Sequence, residues 1–121
     1  MMVEKINEYA KFKDDRGCFR GIMNTGQWQE VNHVFTNKGA VRGKHFHKHL
    51  NEVVFLLKGE MEVELVNVLD GKKSACIVKQ GEGVIIKPYQ HHTMRYLTDC
   101  EQLSFLDKPF DQENPDLHTE L

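Results

Sequence analysis

The chain has 121 residues, with 18 acidic against 16 basic side chains and a formal net charge of −2. That length supports one hydrophobic core rather than two, and the interspersed charge leaves no basic footprint for nucleic acid. No run approaches the roughly 18 consecutive apolar residues of a membrane span, and the charged opening MMVEKINEYAKFKDD lacks the apolar centre of a signal peptide. Cys18, Cys76 and Cys100 are odd in number and lack C-x-x-C spacing, so they read as reduced thiols in a cytoplasmic protein.

Short apolar runs broken by glycines and prolines make an all-β pattern. Val3–Tyr9 is the first predicted strand, and Asp14-Asp15-Arg16-Gly17 a turn into Cys18–Met23. Asn24-Thr25-Gly26 turns into Trp28–Phe35, which Asn37-Lys38-Gly39 closes. Val41–His47 and the buried run Val53–Leu57 come next, and Lys58-Gly59-Glu60 forms a hairpin into Met61–Val66. In that strand Met61, Val63 and Leu65 alternate with Glu62 and Glu64, the half-buried pattern. Asp70-Gly71 marks another hairpin before Ser74–Lys79. Gln80-Gly81-Glu82-Gly83 leads into Val84–Lys87, and His92–Leu97 and Gln102–Leu106 finish the set. About ten strands at this spacing predict a jelly-roll barrel or sandwich, with a polar tail after Pro109 lying along the surface.

The chemistry concentrates between Gly39 and Gly59. His45 and His47 stand two apart, so in a strand both imidazoles share a face. Glu52 follows and opens the apolar run. Three polar groups then converge on an apolar interior, which is costly unless they are paired, metal-bound or catalytic. A lone strand histidine is more often a surface or hydrogen-bonded residue than a ligand, and His49, beside Lys48 at the strand end, keeps that reading. Several histidines with a glutamate at fixed spacing reverse it.

The spacing G-x5-H-x-H-x4-E-x6-G resembles the first cupin motif at every fixed position. The second cupin motif, G-x5-P-x-G-x2-H-x3-N, is degraded: Pro88 is present, no glycine follows it, and His91 or His92 would supply the fourth polar group. The resemblance implies a single-domain cupin over residues 1–121, with a core over about 14–108 and a tail over 109–121.

Further stretches resemble the sugar-nucleotide branch of that superfamily. Asp15-Arg16-Gly17-Cys18-Phe19 is similar to the D-x-R-G-x-F/L segment of dTDP-4-dehydrorhamnose 3,5-epimerases and dTDP-sugar 3,4-ketoisomerases. Arg42, Gly43, His45, His47 and Lys48 satisfy the ketoisomerase pattern R-G-x-H-A-H-K outside its alanine. Pro88 to Met94 looks like P-x-x-x-H-x-M, which selects His92 over His91. Phe110 to Asp116 resembles the end of the cupin domain of capsular-polysaccharide reductases.

The resemblance implies a nucleotide-linked 4-keto-6-deoxy sugar as substrate, isomerised or epimerised for surface polysaccharide. His45 would be the general base and His47 the second catalytic histidine. Arg42 and Arg16 would contact the diphosphate or sugar, Arg16 from across a dimer interface, and His92 would line the pocket. The ketoisomerase tyrosine before the histidine motif is missing from Val31-Asn32-His33-Val34-Phe35, which leaves Tyr96 or His33 as its replacement. No cofactor is required on this reading.

Glu52 stands where the ketoisomerases have glutamine, and His45, His47, Glu52 and His92 together suit Zn, Fe, Mn, Ni or Cu. The alternative is therefore a metal-binding cupin that holds a sugar or acidic ligand without catalysis, or a metal-dependent dioxygenase. Either way a homodimer is expected, with Trp28 and the N-terminal strand as candidate contacts.

Overall fold

A computed structural model describes residues 3–120. Eleven strands run in chain order: β1 (Glu4–Asn7), β2 (Ala10–Asp14), β3 (Gly17–Gly21), β4 (Glu30–Thr36), β5 (Val41–His45), β6 (Glu52–Lys58), β7 (Glu60–Asn67), β8 (Lys73–Lys79), β9 (Glu82–Ile86), β10 (Gln90–Tyr96) and β11 (Cys100–Leu106). No helix occurs among the described residues, so the fold is all-β, and none of them forms a helix long and apolar enough to cross a membrane.

Two antiparallel sheets, ordered β1-β9-β6-β11-β4 and β5-β10-β7-β8, enclose the core. The alternation in β7 works as expected: Met61, Val63 and Leu65 are fully buried and meet Val54, Leu56, Val84 and Ile86 from the opposing sheet. β6 is buried on both faces, which explains its unbroken apolar run. Its other face, Val53 and Phe55, is covered by Ile6, Ile22, Trp28 and Phe105. Trp28 lies with its ring centroid 6.2 Å from that of Phe105.

β2 is the strand that sequence patterning missed. The chain turns between Asn7 and Ala10, and AKFKD then pairs with β3 as a separate two-stranded sheet. Phe12, its one aromatic, is 67% exposed, so no buried side of the strand marks it in the sequence. The predicted strand Val41–His47 also ends early, at His45.

A bulge decides which way β5 faces. His45 pairs with His92, and the next ladder pairs are Thr93 with Gly43 and Met94 with Arg42. Lys44 is the extra residue, at φ 60° beside Gly43 at φ 88°. A Cβ on Gly43 would lie 2.5 Å from the His92 carbonyl oxygen, so only glycine allows this approach. Without the bulge, the odd separation of Arg42 and His45 would put them on opposite faces. With it, His45 joins His92 on the interior side.

Candidate functional site

Three imidazoles meet at one end of the interior. The ring centroids of His45 and His92 are 4.5 Å apart, and that of His47 lies 5.1 Å from each. Each comes from a different piece of backbone: the bulged end of β5, the loop after it, and the start of β10. Glu52, the first residue of β6, places Oε1 3.1 Å from His47 Nε2 and 3.7 Å from His92 Nε2.

The backbone fixes the tautomers. His45 Nδ1 lies 3.1 Å from the Gly43 carbonyl, His92 Nδ1 3.1 Å from the Gln90 carbonyl and His47 Nδ1 2.8 Å from the Asp116 carbonyl. A carbonyl only accepts, so each Nδ1 carries hydrogen and each Nε2 is left for the cluster. His92 Nε2 is buried with no hydrogen-bond partner among the described residues. An orphaned buried atom of this kind needs an explanation, and carbonyl-anchored Nδ1 atoms are the usual support of metal-ligating histidines. The candidate ligand atoms of His45, His47 and His92 all lie within 4.8 Å of one another. The three imidazoles fit a divalent metal, and Glu52 approaches two of them, His47 and His92.

Electrostatics separates the three rings. Burial, with help from His47, lowers the His45 pKa below its ordinary value. Burial pushes His92 down to about 4. Burial would also depress His47, but its Glu52 hydrogen bond and the Asp116 carbonyl outweigh that and raise it. His45 and His47 line a 260 Å³ cavity together with Glu52, with Glu30 and Asn32 of β4, and with Phe110, Asp116 and Leu117. His92, 1% exposed, sits behind them.

The segment from Phe110 onward is part of the site. The Asp116 carboxylate accepts the backbone N–H groups of Lys48 and His49 at 2.8 Å each and of Leu50 at 3.3 Å. His118 exchanges two backbone hydrogen bonds with Phe46, of 2.8 and 3.0 Å. Although burial opposes it, the donors from Lys48 and His49, with His118 and Leu50, hold the Asp116 carboxyl down at about 2. Sequence reasoning missed Asp116 as a site residue, and the only signal was its place in the segment similar to the capsular-polysaccharide reductases.

Other sequence candidates lie elsewhere within this chain. Tyr96 shares the interior face of β10, but its hydroxyl donates to Gln102 near Met94, and burial raises its pKa to about 12. Arg42 spends its guanidinium on Thr36 Oγ1 at 2.8 Å and the Phe35 carbonyl at 3.2 Å. His33 is on the outer face of β4, 2.7 Å from Glu101. Arg16 pairs with Asp14 at 2.7 Å on the β2–β3 turn and is 90% exposed. None of the four lines the cavity over the histidines.

The family model of the polysaccharide biosynthesis C-terminal domain matches residues 12–118. No curated protein matches the sequence. Among solved structures, the capsular polysaccharide assembling protein CapF from Staphylococcus aureus is similar at 25% identity and a TM-score of 0.70, over 90% of this chain and 31% of CapF. The chain thus spans about a third of that protein's length. A mutant of the 3,4-ketoisomerase QdtA from Thermoanaerobacterium thermosaccharolyticum, in complex with TDP-4-keto-6-deoxyglucose, is similar at 20% identity and a TM-score of 0.80, over 98% of this chain and 87% of QdtA. The dTDP-4-dehydrorhamnose 3,5-epimerase from Sulfolobus tokodaii is similar at 21% identity and a TM-score of 0.75, over 93% of this chain and 79% of the epimerase. The fold is that of the cupins.

Proposed function

The chain belongs to the polysaccharide biosynthesis C-terminal domain family, and on that premise we propose that it isomerises or epimerises a nucleotide-linked 4-keto-6-deoxy sugar. The observation that carries this reading is the opposite pull on two neighbouring imidazoles, His45 lowered and His47 raised, at the floor of one cavity. Groups whose environments drive their pKa values apart divide into base and acid.

In this mechanism neutral His45 Nε2 takes the proton from the carbon beside the substrate carbonyl, and the C–H electron pair moves into the enolate. His47, its two ring nitrogens held by the Asp116 carbonyl and Glu52, places its positive charge beside the developing oxyanion. A proton returned to the opposite face of the same carbon inverts it. A proton delivered to the former carbonyl carbon of the enediol moves the carbonyl instead. TDP-4-keto-6-deoxyglucose is the compound bound in the QdtA complex, and it supports this substrate class. The reading includes a cytoplasmic location, motivated by three free cysteines. It also includes a homodimer, motivated by the exposed Phe12 and Phe19 on a hairpin that pairs with neither main sheet.

Solvent-deuterium incorporation into dTDP-, UDP- and GDP-linked 4-keto-6-deoxy sugars, followed by NMR, tests the chemistry. Exchange at one sugar carbon, lost in His45→Asn, is the expected result; exchange retained in that variant would sink the proposal.

The orphaned His92 Nε2 favours a second reading, a metal centre of His45, His47, Glu52 and His92. A metal held there supplies a Lewis acid for a sugar carbonyl. Elemental analysis after tag-free purification, repeated on His92→Ala, separates the readings. Stoichiometric metal lost in the variant supports the centre, and its absence from wild-type protein counts against it.

A further inference from the structure

A second cavity, of 640 Å³ against 260 Å³ over the histidines, lies on the outer face of the β5-β10-β7-β8 sheet. Its lining includes Lys44, Lys73 and Arg95 against one carboxylate, Glu64. Arg95 is occupied, 3.8 Å from Glu64 and 3.4 Å from Glu62. Lys44 and Lys73 make no ion pair among the described residues, so two free cations face this cavity on a chain of net charge −2.

The floor is built rather than incidental. His91 and Thr93 project from β10 into the cavity at 7% and 5% exposure. Neither side chain makes a hydrogen bond among the described residues, and their polar atoms are not sealed from solvent, so both offer open hydrogen-bonding groups to the cavity. Lys44 is the bulge residue, held at φ 60° where a lysine is disfavoured. Strain of this kind gathers at functional positions.

We propose that this outer shelf is a binding site for an anionic, hydroxylated small molecule, a sugar phosphate or sugar acid. Lys44 and Lys73 take the anionic group. Thr93, Asn67 and Glu64 face the hydroxyls, and His91 closes the floor as either donor or acceptor. The site stands back to back with the histidine pocket. His91 adjoins His92 and faces the other way by strand alternation, while Lys44, the bulge residue beside His45, lines the outer cavity. A ligand on the shelf therefore rests on the two strand ends that position two of the three clustered imidazoles.

Amide chemical-shift titrations of the intact chain test this with four probes: inorganic phosphate, glucose 6-phosphate, glucuronate and glucose, each to about 10 mM. Saturable shifts around Thr93 and Lys73 are expected with glucose 6-phosphate or glucuronate, at lower concentration than with phosphate, and none with glucose. The stronger of the two sugar probes tells whether the anion is a phosphate or a carboxylate. Lys73→Glu, on an exposed edge-strand position, should weaken binding by about tenfold or more. His45→Asn should leave it unchanged, which keeps the test separate from the histidine chemistry. Shifts confined to the histidine pocket, equal binding of glucose, no saturation with any probe, or indifference to Lys73→Glu would each overturn the proposal.

Discussion

The interior holds two polar clusters, and they differ in how they are satisfied. At one end Tyr96 donates to Gln102, Gln102 donates to Ser104 at 3.2 Å, and Arg42 donates to Thr36. At the other end three imidazoles and Glu52 crowd together, and His92 Nε2 has no hydrogen-bond partner among the described residues. A closed network of donors and acceptors stabilises and specifies a core. A cluster with an open atom under a cavity is arranged for something that enters. The comparison teaches that a buried polar residue on the interior face is not thereby a site residue.

The largest effect that tests this contrast is at the open cluster. His45→Asn should lower deuterium exchange by on the order of 10²- to 10⁴-fold, with unchanged far-UV circular dichroism. Asp116→Ala comes next. It removes the acceptor of three loop N–H groups and should lower activity or metal affinity by about 10- to 100-fold through misplacement of His47. It should also cost about 2–3 kcal/mol in denaturant unfolding. Asp116→Asn, which keeps an acceptor oxygen, should recover most of both. Tyr96→Phe leaves Gln102 Oε1 short of a donor and should cost about 1–2 kcal/mol, with turnover within about twofold of wild type. Loss of turnover in that variant, without loss of stability, would break the comparison.

Acid stability gives the smallest and most graded readout. His92 is held neutral, so between pH 6.5 and about 4 the unfolded chain binds a proton that the fold refuses, and metal-free stability falls as pH falls. Asp116 acts lower. Its carboxyl is held at about 2 against an ordinary 3.8, so its contribution of about 2 kcal/mol is present above pH 4 and lost between about 4 and 2. His47 has the opposite sign: its raised pKa stabilises the fold below pH 6.5 and loses that contribution as pH rises through the folded value. Denaturant midpoints from pH 8 to 3 should fall fastest below about 6.5, and His92→Ala should remove the upper part of that fall.

How legible this was follows from the range of each signal. His45, His47 and Glu52 lie within eight residues, and their fixed spacing exposed them. The unbroken run after Glu52 announced a strand buried on both faces. His92 needed the later P-x-x-x-H-x-M resemblance, because two adjacent histidines fall on opposite faces and nothing local chooses between them. The bulge at Lys44 was invisible, since it depends on the His92 carbonyl of another strand. Arg42 was read as a site residue from its place in the R-G-x-H-x-H-K resemblance, three residues before His45, and Tyr96 as a candidate for the tyrosine which that resemblance leaves unplaced. Their partners Gln102 and Thr36 come from β11 and β4, and those contacts commit them elsewhere. β2 carries no core periodicity to read, because its aromatic faces solvent.

The Asp116 clamp also sets an order of assembly. Its acceptors serve a loop nearly seventy residues earlier in the chain, and proteins are made from the N-terminus. A nascent chain can close both sheets around Val54, Met61 and Leu65 while the loop after β5 still lacks its anchor. Closing the sheets and fixing His47 are therefore separable steps, and the second waits on docking of the segment around Asp116 against the loop after β5.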